Sequence, residues 1–323
     1  IDLSVGSVVC FVGAVGGKMM VTNEMNPYLS IIVMLLVGLL IGAWQGFWIA
    51  YVRIPPFIVT LAGMLVFRGL SNVVLEGMTL APMPDNFLAL FNNYIPDFFG
   101  MEGFNMTCFL VGVVVCVLYV FMVLKGRASR AKKGYRVEPF GGVLIKMIVI
   151  CAAVLAFMFR LAQYKGIPNS LVWIVLVIAV YTYIASKTTV GRYFYAVGGN
   201  EKATKLSGIN TNRVYFLAYL NMGFLAAVAG MVTTARLNSA NPTAGTNFEM
   251  DAIGACFIGG ASAYGGTGTV PGVIIGALLM GVLNLGMSIM GVDQNMQKVV
   301  KGLVLLAAVI FDVVSKRKSF IVK

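Results

Sequence analysis

Hydrophobic residues fall into long blocks along this chain, and polar residues are confined to the gaps. The blocks predict helices at roughly 4–22, 28–52, 56–75, 106–124, 143–162, 168–186, 214–235, 250–264, 270–290 and 297–315. A helix of about 20 apolar residues crosses the hydrocarbon of a bilayer. The pattern therefore predicts an all-α, polytopic transmembrane helical bundle of about ten spans, forming a single domain over 1–323. The eighth block is short and glycine-rich. It reads as a broken or re-entrant helix packed inside protein, where irregular backbone is tolerated.

Composition agrees. The chain is 59% hydrophobic and 11% charged, whereas soluble domains carry about 25% charged residues. The net charge is +12, but its distribution explains it. Segment 125–146 carries Lys125, Arg127, Arg130, Lys132, Lys133, Arg136 and Lys146. Segment 187–213 carries Lys187, Arg192, Lys202, Lys205 and Arg213, and the tail carries Lys316, Arg317, Lys318 and Lys323. Segment 76–105 has Glu76, Asp85, Asp97 and Glu102 with no base. The positive-inside bias then puts the basic segments and the C-terminus in the cytoplasm and the acidic loop outside. This accounts for the charge without nucleic acid, for which no motif is present. The five cysteines have no metal-ligand or redox spacing and read as small core residues. The absence of histidine removes His-based triads, metal sites and proton relays. The chain starts Ile1-Asp2-Leu3 without Met, which we read as further helices lying upstream.

Small residues recur at helix-packing spacing: Gly38, Gly42 and Gly46, then Gly13 with Gly17, and Gly272 with Gly276. In lipid such stripes let backbones approach closely. "DLSVGSVVCFVGAVGG" (2–17) echoes "DAIGACFIGGASAYGG" (251–266). The two blocks run in opposite directions in the charge topology, as in an inverted repeat. Shared Gly/Ala/Val composition is the competing explanation.

One polar gap has helical chemistry of its own: "VGGNEKATKLSGINTNR" (197–213). Asn200 is a good N-cap, Glu201 suits a first turn, and Gly208 is a left-handed terminator. Glu201 and Lys205 stand four apart and can pair. The segment 201–207 is therefore expected to be a two-turn helix, with Ala203, Leu206 and Ile209 as a small apolar face. A helix so short needs contact to persist. The residues leave two readings: a solvated loop, or a surface on which a partner docks.

"GRYFYAVGGNEKATKLSGIN" (191–210), "IDLSVGS" (1–7), "ARLNSANPTAGTNFEMDAIGACFIGGASAYGGTGTVPGVIIGALLMGVLNLGMSIMG" (235–291) and "KGLVLLAAVIFDV" (301–313) resemble permease subunits of bacterial ABC sugar importers. The family is that of the ribose, xylose and multiple-monosaccharide systems, and the longer basic loop with an extra apolar stretch at 125–166 is most similar to the xylose and multiple-sugar branch. The resemblance implies a homodimeric pore in the bacterial inner membrane, a cytoplasmic ABC ATPase partner and an extracytoplasmic sugar-binding protein. It makes 191–213 the coupling segment. Gly199, Asn200, Glu201, Ala203, Lys205, Leu206, Ser207 and Gly208 match its motif. "GGTGTVPG" (265–272) lacks the Gly-Lys-Ser/Thr of a phosphate loop and reads as a tight turn. No cofactor or metal is expected on this chain, ATP and magnesium being used by the partner.

Polar residues inside spans are candidates for a substrate path: Gln45, Asn72, Asn221, Thr233, Asn284 and Ser288, beside Thr234, with Trp44 or Trp48 as an aromatic platform. Each also reads as an interhelical hydrogen bond. Arg68 reads as snorkelling outward near Glu76, and Glu249 and Asp251 as acids opening the eighth span at the outer face. The rival function is a secondary transporter or facilitator; the scarcity of acids and the lack of histidine in the spans argue against proton coupling, and Na+ sites built from carbonyls stay open. A membrane-embedded enzyme lacks any catalytic constellation.

Overall fold

The computed structural model describes residues 1–100, 103–135 and 139–321, with side chains up to residue 314. Of the charge pattern, Glu102, Arg136, Lys323 and the side chains of Lys316, Arg317 and Lys318 lie outside it. The helices are α1 (Val5–Gly17), which runs into a π-helical turn Lys18–Thr22, α2 (Pro27–Ala50), α3 (Pro56–Leu75) and α4 (Asp85–Phe91). They continue with α5 (Met106–Lys132), α6 (Phe140–Ala162), α7 (Asn169–Lys187), α8 (Thr189–Gly199) and α9 (Glu201–Leu206). The last are α10 (Thr211–Leu237), α11 (Phe248–Ile258), α12 (Val270–Ile289) and α13 (Gln294–Ile321).

Among the described residues, eight helices are long and apolar enough to cross a membrane, against the ten expected. The two that fall short are informative. The eighth block yields α11, of 11 residues, about 16 Å at the usual rise per residue. That is half of a bilayer's hydrocarbon core. The tenth lies in α13, which is long enough at 28 residues but carries Lys298, Lys301 and Asp312.

The chain forms two compact units, residues 1–91 with 175–323, and 92–174. In the smaller, α5 and α6 pack together, with Gly112 against Met158. Cys108, Ala162 and Ile167 are buried at one end. Asn105 closes that end: its backbone N–H donates to Ala162 O at 2.8 Å, and its side chain caps α5 by accepting from Cys108 N. Most other side chains of this hairpin are exposed, as expected where lipid is the solvent.

The larger unit is built around the glycine seam. Cβ atoms on Gly38 and Gly42 would meet Gly223 O at 2.5 Å and Tyr219 O at 2.6 Å, so α2 and α10 touch backbone to backbone. Lipid tails are as apolar as a leucine core, so burial gives helices little reason to associate. Close packing of small residues does. Accordingly α2 buries Gly38, Gly42, Gly46, Ser30 and Gln45 while Leu36, Leu40 and Phe47 face outward. The other predicted pairs behave alike: Gly13 meets Thr234, and Gly276 lies against Ala255.

After α10 the chain turns back into the bundle. Ala240 sits against Gly17, the carbonyls of Asn241 and Pro242 receive the Cys10 thiol, and Gly245 lies against Gly6. The segment thus retraces α1 from its end to its start, and α11 begins there. Such a break strands backbone carbonyls. Arg68 serves them, its guanidinium donating to Pro242 O at 3.1 Å and Ala244 O at 2.7 Å. It therefore does not snorkel outward. Glu76, its expected neighbour, pairs with Lys18 at 2.9 Å. Glu249 is likewise not at an outer face: it is buried beside Gly6. From this level α1 runs toward the end of the unit where Leu80 bridges Ala240, and α11 toward the opposite end, where the 265–266 turn lies against Gly198 and Gly199. The two halves of the sequence echo thus run in opposite senses.

Candidate functional site

The polar gap at 188–213 is more ordered than a loop. Thr188 caps α8 by accepting from Gly191 N at 3.2 Å, and Asn200 caps α9 by accepting from Ala203 N at 3.0 Å. Gly208 stands at φ +83° and ends the turn after α9, a conformation that glycine alone adopts freely. Helix α9 spans six residues, Glu201–Leu206. Glu201 does not pair with Lys205. Its carboxylate turns inward to Arg53, 2.7 Å from Nη1, and accepts from Thr211 at 3.1 Å and Tyr215 at 3.3 Å. Arg53 also hydrogen-bonds Asn212 and lies over the Tyr215 ring. Arg53 itself sits at φ +66° between α2 and α3. A side chain there costs energy, and the ring of contacts around Glu201 holds it.

A second fastening involves no side-chain charge. Gly265 and Gly266, at φ +88° and +72°, form the α11–α12 turn. That turn packs on Gly198 and Gly199, and Tyr195 donates to Gly268 O at 2.8 Å. The glycine-rich stretch is therefore a tight turn, as its sequence indicated, and it touches the end of α8. Thr204 is buried and Ile209 partly so, whereas Leu206 is 90% exposed, with Lys202, Ala203, Lys205 and Ser207 around it. The apolar face divides: Ile209 turns to the protein and Leu206 to the outside.

The Arg53 hydrogen bond holds the Glu201 carboxyl below the usual carboxylate range, and Thr211 and Tyr215 add to this against partial burial. The group's contribution is therefore complete above the unfolded value of about 4.3. It is lost as pH falls through the lowered folded value. The hold of this pair on α9 is expected to be flat between pH 6 and 8. Arg53→Glu should loosen α9 and Arg53→Glu/Glu201→Arg restore most of the hold, read as hydrogen exchange of the 201–208 amides. Both side chains are about a third exposed or more, so the effect on stability should be at most about 1 kcal/mol.

The residues proposed for a substrate path do not converge. Gln45 is buried and donates to Ser4 Oγ at 2.7 Å. Trp44 is edge-on to Phe67, and Trp48 packs near Ile49 and Tyr219. Asn72 donates to Arg68 O in its own helix, Thr233 is half-buried on α10, Thr234 is buried beside Gly13, and Ser288 donates to Asn284 O. Asn221 accepts from the Tyr181 hydroxyl. Two of them join larger polar groups: Ser4, which accepts from Gln45, donates to Asp2 at 2.7 Å, and Asn284 donates to Asp251 at 3.1 Å, which pairs with Lys301 at 3.0 Å. Sequence reading missed this pair because its residues are 50 positions apart. It missed Arg53 as well, whose signal was a lone base between two spans.

The family model described as "Branched-chain amino acid transport system / permease component" matches residues 1–309. The chain belongs to this permease family. Similar proteins include the xylose transport system permease protein XylH of Escherichia coli (strain K12), 38% identical over 99% of this chain and 79% of its own length. XylH of Haemophilus influenzae is 36% identical over 98% of this chain and 83% of its own length. The ribose import permease protein RbsC of E. coli (strain K12) is 35% identical over 97% and 77%. No solved structure matches. The chain is thus a multi-pass membrane transport subunit and not an enzyme.

Proposed function

We propose that this permease carries a monosaccharide of the xylose and ribose class across the bacterial cytoplasmic membrane. It would do so as a homodimer, with a cytoplasmic ABC ATPase and an extracytoplasmic binding protein. The observation that carries this reading is similarity to xylose and ribose permeases over nearly the whole chain. The geometry of α9 supports the ATPase partner, since a capped, tethered helix presents Leu206 outward. On this reading α9, the basic segments and the C-terminus are cytoplasmic, and the acidic 76–105 segment is outside.

The two fastenings of α9 give the mechanism. ATP binding closes the ATPase pair and displaces α9. The Glu201–Arg53 pair carries that movement to the α2–α3 connection, and the Gly198–Gly266 contact carries it to α11 and the Asp251–Lys301 pair. Both are linkages between packed elements that shift as units. This chain holds neither ATP nor a metal in the scheme, and selectivity rests mainly with the binding protein.

The test is reconstitution with the ATPase and binding-protein subunits and measurement of labelled xylose and ribose uptake. ATP-dependent uptake requiring all three is expected. The Asp251–Lys301 pair and the buried Glu249 are the features, among the described residues, that favour a secondary transporter. Uptake by this chain alone, driven by an ion gradient and unaffected by ATP, would establish that rival instead.

A further inference from the structure

A groove of about 580 Å³ opens in the larger unit among α2, α7, α8, α10 and α12. Leu39, Ile184, Phe194, Leu217, Phe224 and Val270 line it. Its polar side chains, Tyr181 and Asn221, hydrogen-bond to each other. That leaves little to recognise a sugar, whose hydroxyls need several partners, and fits a hydrocarbon chain.

Charge at one end narrows the occupant. On α10, Arg213 stands one turn before Leu217, on the face that continues through Asn221 to Phe224. The guanidinium is exposed, and no ion pair or side-chain hydrogen bond engages it among the described residues. Lys187, also exposed, ends α7, whose Ile184 and Ala185 line the groove. From Arg213 to Phe224 the helix rises about 16 Å. One leaflet of hydrocarbon is about 15 Å thick. The lined part of α10, Leu217 to Phe224, is about 10 Å of this rise, so an apolar trough with cations about one turn beyond its end spans one leaflet and matches a single phospholipid.

We propose that this groove holds an acyl chain of an anionic phospholipid from the leaflet at the α9 end, its phosphate against Arg213 and Lys187. Its walls include α8 and α10, the helices between which α9 is strung. Thr211 and Tyr215 of the same α10 bind Glu201. A lipid seated there braces the helices that hold α9.

The test uses the purified full chain in nanodiscs of phosphatidylcholine doped with phosphatidylglycerol, with retained lipids and protomer number counted by native mass spectrometry. Preferential retention of phosphatidylglycerol is expected. Arg213→Gln should cut that preference about fivefold, the usual effect of one interfacial base. Arg130→Gln, a base elsewhere on α5, should leave it unchanged. Ala218→Phe and Ala185→Phe, from opposite walls, should each displace the lipid while melting temperature confirms folding. Equal retention of both lipids, or a preference that survives Arg213→Gln, overturns the proposal. So does a change in protomer number with lipid retained in the filled variants, which would make the groove the seat of a second copy. The outcome does not depend on what the permease transports.

Discussion

Leu206→Asp is expected to abolish ATP-driven uptake while leaving the permease inserted and folded. The side chain is 90% exposed, so the protein's own packing loses almost nothing, and surface changes of this kind shift stability by about 0.5 kcal/mol or less. With α9 as the proposed docking surface, the loss falls on the ATPase contact. An apolar anchor at the centre of an interface typically contributes about 2 kcal/mol or more, or roughly thirtyfold in affinity. A carboxylate forced into the same contact is left desolvated and unpaired, which adds to the cost. The measurement is co-purification with the ATPase subunit, together with uptake in reconstituted vesicles. Leu206→Met should behave as the parent. Normal ATPase association by Leu206→Asp would show that the exposed face of α9 is not the docking surface.

The second large effect is on folding. Gly223→Leu should leave little folded protein in the membrane. A Cβ at Gly223 would collide with Gly38 O and approach Gly42 N at 2.7 Å and Gly42 Cα at 2.8 Å. These are backbone atoms of a packed helix and cannot swing aside as a side-chain end can. Overpacking commonly costs 1–3 kcal/mol, and this site should cost about 3 kcal/mol or more because relief requires separating α2 from α10. Fluorescence-detected size exclusion after detergent extraction reads the outcome, with aggregate replacing the monodisperse peak. Gly281→Leu is the control, since nothing lies within 4 Å of a Cβ there. If both variants elute alike, the glycine seam does not hold these helices.

The residues of α9 show how far local chemistry reaches. Asn200 caps, Gly208 terminates, and both do so through contacts within a few residues, so the sequence states them directly. Glu201 had two eligible cations. Lys205 stood one turn away, and Arg53 stood 148 positions away. Only the folded chain brings Arg53, Thr211 and Tyr215 around the carboxylate. Lys205 offers a single exposed ammonium, whereas the observed site satisfies the acid from three directions. The same limit governed the substrate-path candidates. Gln45, Asn221 and Asn284 are all polar residues in apolar helices, but composition does not reveal whether each faces a path or a partner. In the fold they hydrogen-bond Ser4, Tyr181 and Asp251.

The sequence alone determined that the chain is a membrane bundle, where its apolar blocks lie, that Gly38, Gly42 and Gly46 form a packing stripe, and that a short capped helix starts at Glu201. These follow from hydropathy, residue size and capping, which act along the chain or over one helical turn. The tertiary structure decided that the eighth block stops halfway as α11, and that Arg68 serves the carbonyls exposed by the break. It also decided that Asp251 meets Lys301, and that Leu206 rather than Ile209 faces outward. Each of these depends on distances between elements far apart in sequence. Such distances are fixed only when backbones close on one another at contacts such as Gly38 with Gly223 and Gly198 with Gly266.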